Sequence, residues 1–162
     1  MTTTPNYTIN AVKTFIGRNG PGFNCTLLLD GKRVAFVYDD ASGGMTRFNW
    51  TGETRAERAE QERALTEFCA TREPRHAFQW EYDLSPDVFV SSLVDDYTIN
   101  RWLLRKLKNG VLFEVGGKIK TIKGFKPTPA VLAEVARRHP GAIILNNLPV
   151  ADACARYRAT IC

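Results

Sequence analysis

The side chains with the most capacity for chemistry in this chain are cations, and they are bunched. Residues 101 to 126 carry eight basic groups (Arg101, Arg105, Lys106, Lys108, Lys118, Lys120, Lys123 and Lys126) against a single acid, Glu114. The preceding stretch, 38 to 100, is reversed, with 13 acidic and 6 basic side chains. Clustered like charges add their fields before salt screens them, so such a stretch attracts polyanions. Lys118 and Lys120, two apart on a strand, project from one face while Ile119 and Thr121 take the other. Lys108 and Lys126, with Arg101 and Arg105 from a preceding helix, are expected to flank that face. Lysine-rich hairpins hold phosphate backbones through charge and counterion release without reading bases. Lysines on an edge strand also guard against strand-to-strand aggregation. Both readings stand on the sequence. Stacking aromatics are thin here, because Trp102, Phe113 and Phe125 fit core positions at least as well.

Catalytic sets are harder to find. The two histidines, His76 in a loop and His139 at a helix end beside Pro140, sit in no zinc-hydrolase or nucleophile-elbow spacing. Carboxylate pairs occur at Asp39-Asp40 and Asp95-Asp96. A two-metal nuclease needs convergent carboxylates, and Asp39, Asp40 and Asp95 are the residues that would supply them. Asp39-Asp40 precedes Ser-Gly-Gly, however, and reads as turn chemistry. Asp95-Asp96 reads as a break between two helices, capping the second. Gly17-x-x-Gly20-x-Gly22 opens a strand rather than a helix, so no helix N-terminus meets a phosphate there. No enzyme, cofactor or metal is expected.

Composition sets the wider bounds. At 162 residues, one domain spanning 1–162 is the expectation. Net charge is +5 and the pI about 9.2, moderate values compatible with nucleic acid. No apolar run approaches the roughly 20 residues of a membrane span. The start, Met1-Thr-Thr-Thr-Pro-Asn, has neither the basic nor the apolar part of a signal peptide, so a reducing cytoplasm is expected. Cys25, Cys69, Cys154 and Cys162 lie far apart with no zinc-knuckle spacing. Cys25 and Cys69 read as small buried hydrophobes.

The elements that must position these groups read as α+β: an N-terminal antiparallel β-meander packed with helices, plus a second, basic β-hairpin. Strands are expected over Tyr7–Ile16, Phe23–Leu29, Val34–Tyr38 and Met45–Trp50. Gly17 to Gly22 forms a turn cluster, and Asp30-Gly31 is a two-residue hairpin signal. Thr54 and Glu57 form a capping box for a helix to Thr71, whose first half is polar all round and projects into solvent. Along the helix Glu57, Glu60, Glu62 and Glu67 would suit a basic partner, but Arg55, Arg58 and Arg63 interleave as internal ion pairs. Phe78–Tyr82 reads as a short strand. Ser85-Pro86-Asp87 starts a helix, followed by a second or a continuation over Thr98–Lys108. Strands Val111–Val115 and Ile119–Ile122 flank Gly116-Gly117. A helix from Thr128 to Arg138, a strand at Ala142–Leu145 and a helix at Asp152–Arg158 complete the chain. The meander is expected to pack on the helices at 85–108 and 128–138, with Val34, Phe36, Phe89, Leu93, Leu104 and Ile144 in the core.

With these elements laid out, the block GFNCTLLLDGKRVAFVYDDASGGMTRFNW, residues 22–50, resembles the opening of small uncharacterised proteins encoded by bacteriophages and prophages. The run LLRKLKNGVLFEVGGKIKTIKGFKPTPAVLAEVARRHPGAIILNNLP, residues 103–149, is similar to the basic hairpin, helix and terminal strand of the same group. The two blocks span roughly half the chain and consist of turn, hairpin and cap residues. The resemblance implies a viral or mobile-element setting and a host-defence antagonist, such as an anti-CRISPR, acting in the host cytoplasm. Its partner would be a host protein or ribonucleoprotein complex. Nucleic acid bound through the basic face is the alternative, and no membrane is expected.

Overall fold

Two-residue turns with positive φ at both positions organise both sheets. Asp30 (φ 48°) and Gly31 (φ 80°) join one pair of strands, and Gly116 (φ 58°) and Gly117 (φ 71°) join another. That backbone matches the strands' own twist, which is why Asp-Gly and Gly-Gly serve there. The computed structural model describes residues 4–72 and 84–161, so His76, Cys162 and the strand expected at 78–82 lie outside the described residues.

The first sheet is an antiparallel meander in the order β1-β2-β3-β4. Its strands are β1 (Tyr7–Gly17), β2 (Gly20–Leu29), β3 (Lys32–Asp39) and β4 (Arg47–Trp50). The turn expected across 17 to 22 is tighter than the sequence suggested: Gly17 pairs with Gly20, and Gly22 is already in β2. A bulge between Asn10 and Lys13, with Ala11 at φ 50°, re-aims the first strand and buries Val12. Helix α1 (Arg55–Ala70) starts with the capping box, Thr54 and Glu57 each bonding the other's backbone N–H. Its first turns are exposed on every side, as their all-polar composition requires, and only Leu65, Phe68 and Cys69 are buried. Arg63 pairs with Glu60 at 2.5 Å and Glu67 at 3.6 Å, so this helix satisfies some of its own charge.

Helix α2 (Pro86–Asn109) is one continuous helix of 24 residues. The break expected at Asp95-Asp96 does not occur. No glycine or proline stands between Asp87 and Asn109, so nothing removes an i→i−4 bond, and the two aspartates lie inside the helix. Sheet one and α1 share a core with the start of α2: Cys25, Leu27, Ala35, Val37, Leu65, Phe68, Phe89 and Val90 are all buried in it. Tyr7, Phe68 and Phe89 meet at ring centroid distances of 4.7 to 6.4 Å. Burial of each such side chain is worth roughly 1.5–3 kcal/mol. Val34 is in this core and Leu93 is half-buried against it, as expected. Phe36 is not. It pairs with Thr26 on the outer face, where its ring lies 6.0 Å from Tyr38, because Ala35 and Val37 take the inner positions.

The second sheet has the order β6-β5-β7, with β5 (Gly110–Val115), β6 (Lys118–Lys123) and β7 (Ile143–Ile144). Its central strand is buried on both faces. Val111 and Phe113 pack with Ile144 and with Val135 of helix α3 (Pro129–Arg138). Leu112 on the opposite face packs with Leu103 of α2, with Leu145, and with Ala153 and Cys154 of helix α4 (Val150–Ile161). Helix α3 was expected against the meander. Its one fully buried side chain, Val135, instead completes the Phe113 face of the second sheet.

Length set the expectation of one domain, and the chain divides into two compact units, residues 1–97 and 98–162. The charge switch follows that division. The first unit has 10 basic and 14 acidic side chains, net −4; the second has 12 and 3, net +9.

Candidate polyanion-binding surface

All the basic residues singled out above belong to the second unit, and its sheet register decides which of them share a side. In an antiparallel pair, opposed residues point to the same face. Lys118 opposes Val115, Lys120 opposes Phe113 and Ile122 opposes Val111, so this set stands on the α3 side. Ile119, Thr121 and Lys123 stand on the other side, with Leu112, α2 and α4. Lys118 and Lys120 therefore share a face as expected, and Lys123 takes the opposite one.

The end of α2 lies on the Lys123 side. Arg101, Leu104, Arg105 and Lys108 are spaced i, i+3, i+4 and i+7, and all four are exposed. Leu103 and Leu107, rotated by about 100° from Leu104 and Lys108, take the core positions. This is why Leu104, expected in the core, is 45% exposed. Lys106 belongs to neither group. Its ammonium stands over the Trp102 ring, 5.4 Å from the centroid. Trp102 in turn packs against Tyr157 at 5.0 Å.

Apart from Lys106, the cations thus fall into two groups. Gly110, two residues beyond Lys108, is the direct strand partner of Lys123, so the register puts Lys108 and Lys123 at the same end of the sheet. Lys126 follows on the loop leaving β6 at the same end. Lys118 and Lys120 sit towards the hairpin turn; Lys118 is about 17 Å from Lys123 at the usual strand rise.

Local electrostatics leaves these groups available. Two of the unit's three acids are spent elsewhere: Glu114 pairs with Arg156 at 2.9 Å, and Glu134 with Arg137 at 2.8 Å and Arg138 at 2.6 Å. Hydrogen bonds from Arg137 and then Arg138 pull the Glu134 carboxyl down to about 2. Among the described residues, none of the eight cations forms an ion pair with a carboxylate. Lys106 and Lys108 also lie in the last turn of α2, where positive charge complements the helix dipole.

One residue with no local sequence signal holds this end together. Asn146, in the 3-10 turn after β7, accepts a hydrogen bond from the Leu112 N–H at 2.9 Å. Its amide donates to the Leu107 carbonyl at 2.9 Å and the Gly110 carbonyl at 3.0 Å. One side chain thereby caps α2 and continues the ladder of β5 past the two-residue β7. Phe125, expected in the core, is 59% exposed on the loop between Lys123 and Lys126. The hint for this lay in Gly124, whose left-handed φ of 84° turns the chain out of the strand before Phe125 can pack.

The other candidates resolve into structure. Asp39 accepts from the Ala41 N–H at 2.8 Å, and Asp40 from the Ser42 N–H at 3.0 Å and hydroxyl at 2.5 Å, the self-bonding turns expected of these residues. The Ser42 hydroxyl bond is the main reason the Asp40 carboxyl titrates below its ordinary value. Asp95 is mid-helix in α2. No group of three His, Cys, Asp or Glu side chains placed to hold a metal ion occurs among the described residues. His139 ends α3, its N–H bonded to the Val135 carbonyl at 3.0 Å and its ring stacked on Phe113 at 4.8 Å. No helix among the described residues is long and apolar enough to cross a membrane. Comparison with family models, curated proteins and solved structures returned no match to this chain.

Proposed function

We propose that this chain is a non-catalytic binding protein of the host cytoplasm that engages a phosphate backbone through its second unit. The observation that carries the reading is the set of eight cations without a carboxylate partner among the described residues, in a unit of net +9 whose glutamates are committed to other arginines. Holding that much like charge together costs stability, and an incoming polyanion relieves it. The resemblance over residues 22–50 and 103–149 adds a setting: a bacteriophage or prophage protein that acts by stoichiometry on a nucleic-acid-targeting defence complex of its host.

The test is equilibrium binding of labelled nucleic acid across a salt series, with the wild type and a variant carrying Arg105→Glu, Lys108→Glu and Lys123→Glu. Affinity is expected to fall steeply with salt, with a log–log slope near 0.9 per neutralised phosphate on duplex or 0.7 on single strands. The triple reversal should abolish binding. A second reversal, Lys118→Glu with Lys120→Glu, separates the hairpin cluster: if those two lysines only guard an open sheet edge, binding survives it. An affinity pull-down from host lysate, with and without nuclease, tests the setting. Salt-insensitive binding unchanged by the triple reversal, or no specific partner in either lysate arm, refutes the reading.

A further inference from the structure

We infer that the polyanion is a single-stranded nucleic acid and that Phe125 is the platform on which one of its bases stacks; this rests on the phosphate-binding reading above. An isolated exposed aromatic is ordinary on a protein surface. Phe125 differs in two ways. Its loop is pinned: Gly124 turns it out of β6 at φ 84°, Pro127 fixes the backbone, and the Thr128 N–H bonds the Lys126 carbonyl at 2.8 Å before Thr128 caps α3. A ring held on such a loop loses little conformational freedom when it binds. It is also bracketed by charge. Lys123 precedes it by two residues and Lys126 follows it, while the Gly110–Lys123 pair brings the end of α2, with Lys108, to the same end of the sheet. Within this cluster the exposed ring would meet a base while its neighbours meet the flanking phosphates. In a duplex the bases are stacked on one another and their faces are closed to the ring, so this arrangement favours a single strand.

The experiment measures binding of the full-length chain to labelled probes of about 15 nucleotides, a length within single-strand site sizes. The probes are oligo-dT, oligo-rU, a strand with abasic sites throughout, and a duplex. Vesicles containing phosphatidylserine form a further arm, because lysines around an exposed aromatic also suit an anionic lipid surface. The wild type is expected to prefer the base-bearing strands over the abasic strand by about 5- to 150-fold, the range of one stacked base. Phe125→Ala should erase that preference while leaving abasic affinity and the salt slope unchanged, and Phe125→Trp should restore it. The oligo-dT and oligo-rU arms separate DNA from RNA as the source of the base. The variant removes an exposed side chain, so its fold, checked by circular dichroism, should be intact. Equal wild-type affinity for abasic and base-bearing strands overturns the stacking role but leaves the phosphate reading in place. The same follows if Phe125→Ala weakens all strands alike, or weakens vesicle binding alone. Absence of binding to every probe overturns both.

Discussion

Replacing Asn146 tests the architecture of the basic surface more directly than replacing any of its cations. Its side chain makes three hydrogen bonds, to the Leu112 N–H and to the Leu107 and Gly110 carbonyls, at 2.9 to 3.0 Å in a partly buried setting. Asn146→Ala leaves all three backbone groups without that partner. A buried group so orphaned costs about 1–3 kcal/mol, and partial access to water lowers the sum, so a loss of about 2–4 kcal/mol is expected. At about 2–4 °C per kcal/mol for a chain of this length, Tm should fall by roughly 5–15 °C. Asn146→Asp is the sharper probe. It keeps an acceptor for Leu112 but turns a second oxygen towards two carbonyls. The ionised form is disfavoured there, so its folded pKa should lie above the unfolded value of about 3.9. The linkage sign follows: a raised carboxyl pKa means that the folded state binds the proton more tightly. The aspartate variant should therefore come closest to wild type below pH 4 and lose stability as pH rises through its folded pKa. Thermal melts from pH 3 to 8, with hydrogen exchange at the Leu112 amide, read both effects. An alanine variant within about 0.5 kcal/mol of wild type, or an aspartate variant insensitive to pH relative to wild type, would refute the clamp, since surface changes away from such features fall in that range.

Two further outcomes follow from the same contacts. The Glu134 carboxyl, held at about 2 by Arg137 and Arg138, should titrate near there by NMR, and Arg137→Ala with Arg138→Ala should return it towards ordinary carboxylate values. Its depressed pKa means that whatever it adds to stability is present above the unfolded pKa and lost as pH falls towards 2; an unshifted titration in the wild type would remove the ion pairs. Burial pushes the Cys25 and Cys69 thiols up to about 11, so both should resist thiol reagents at pH 8 in the native protein and react on unfolding; rapid native labelling of either would contradict their place in the core.

The parts of the fold legible in the sequence were those governed by local backbone chemistry. Asp30-Gly31 and Gly116-Gly117 could be read because a two-residue turn needs positive φ, and few residue types tolerate it. The Thr54–Glu57 box was legible because its two bonds lie within four residues. What failed depended on partners distant in sequence. Asp95-Asp96 looked like a helix break on local grounds, but Phe89 and Val90 before it and Leu103 after it are buried, with Leu107 partly so, along one uninterrupted helix. Helix α3 carries an apolar stripe that would suit either sheet, and nothing within ten residues says which one it covers.

The basic surface shows why composition can group these cations and yet not place them. Charge density is a property of the linear chain, and all eight cations do fall in one unit. Their grouping depends on parity and register. Lys118 and Lys120 differ from Lys123 by an odd number of strand positions, which sends them to opposite faces of a sheet that is buried on both sides by helices. Lys108 and Lys123 come together only through the pairing of Gly110 with Lys123, a position where a Cβ on Gly110 would stand 2.8 Å from the Ile122 carbonyl oxygen. The close approach of β6 to the end of α2 thus requires a residue with no side chain at the point where the two cations converge. Phe125 follows the same logic: its hydrophobicity argues for burial, but Gly124 and the pinned loop carry it outward beside the lysines. A chain selected only to protect a sheet edge would need the lysines of β6. It would not need an aromatic held in solvent among them, and it is on that pairing of ring and charge that the proposal of a ligand with both a phosphate and a base rests.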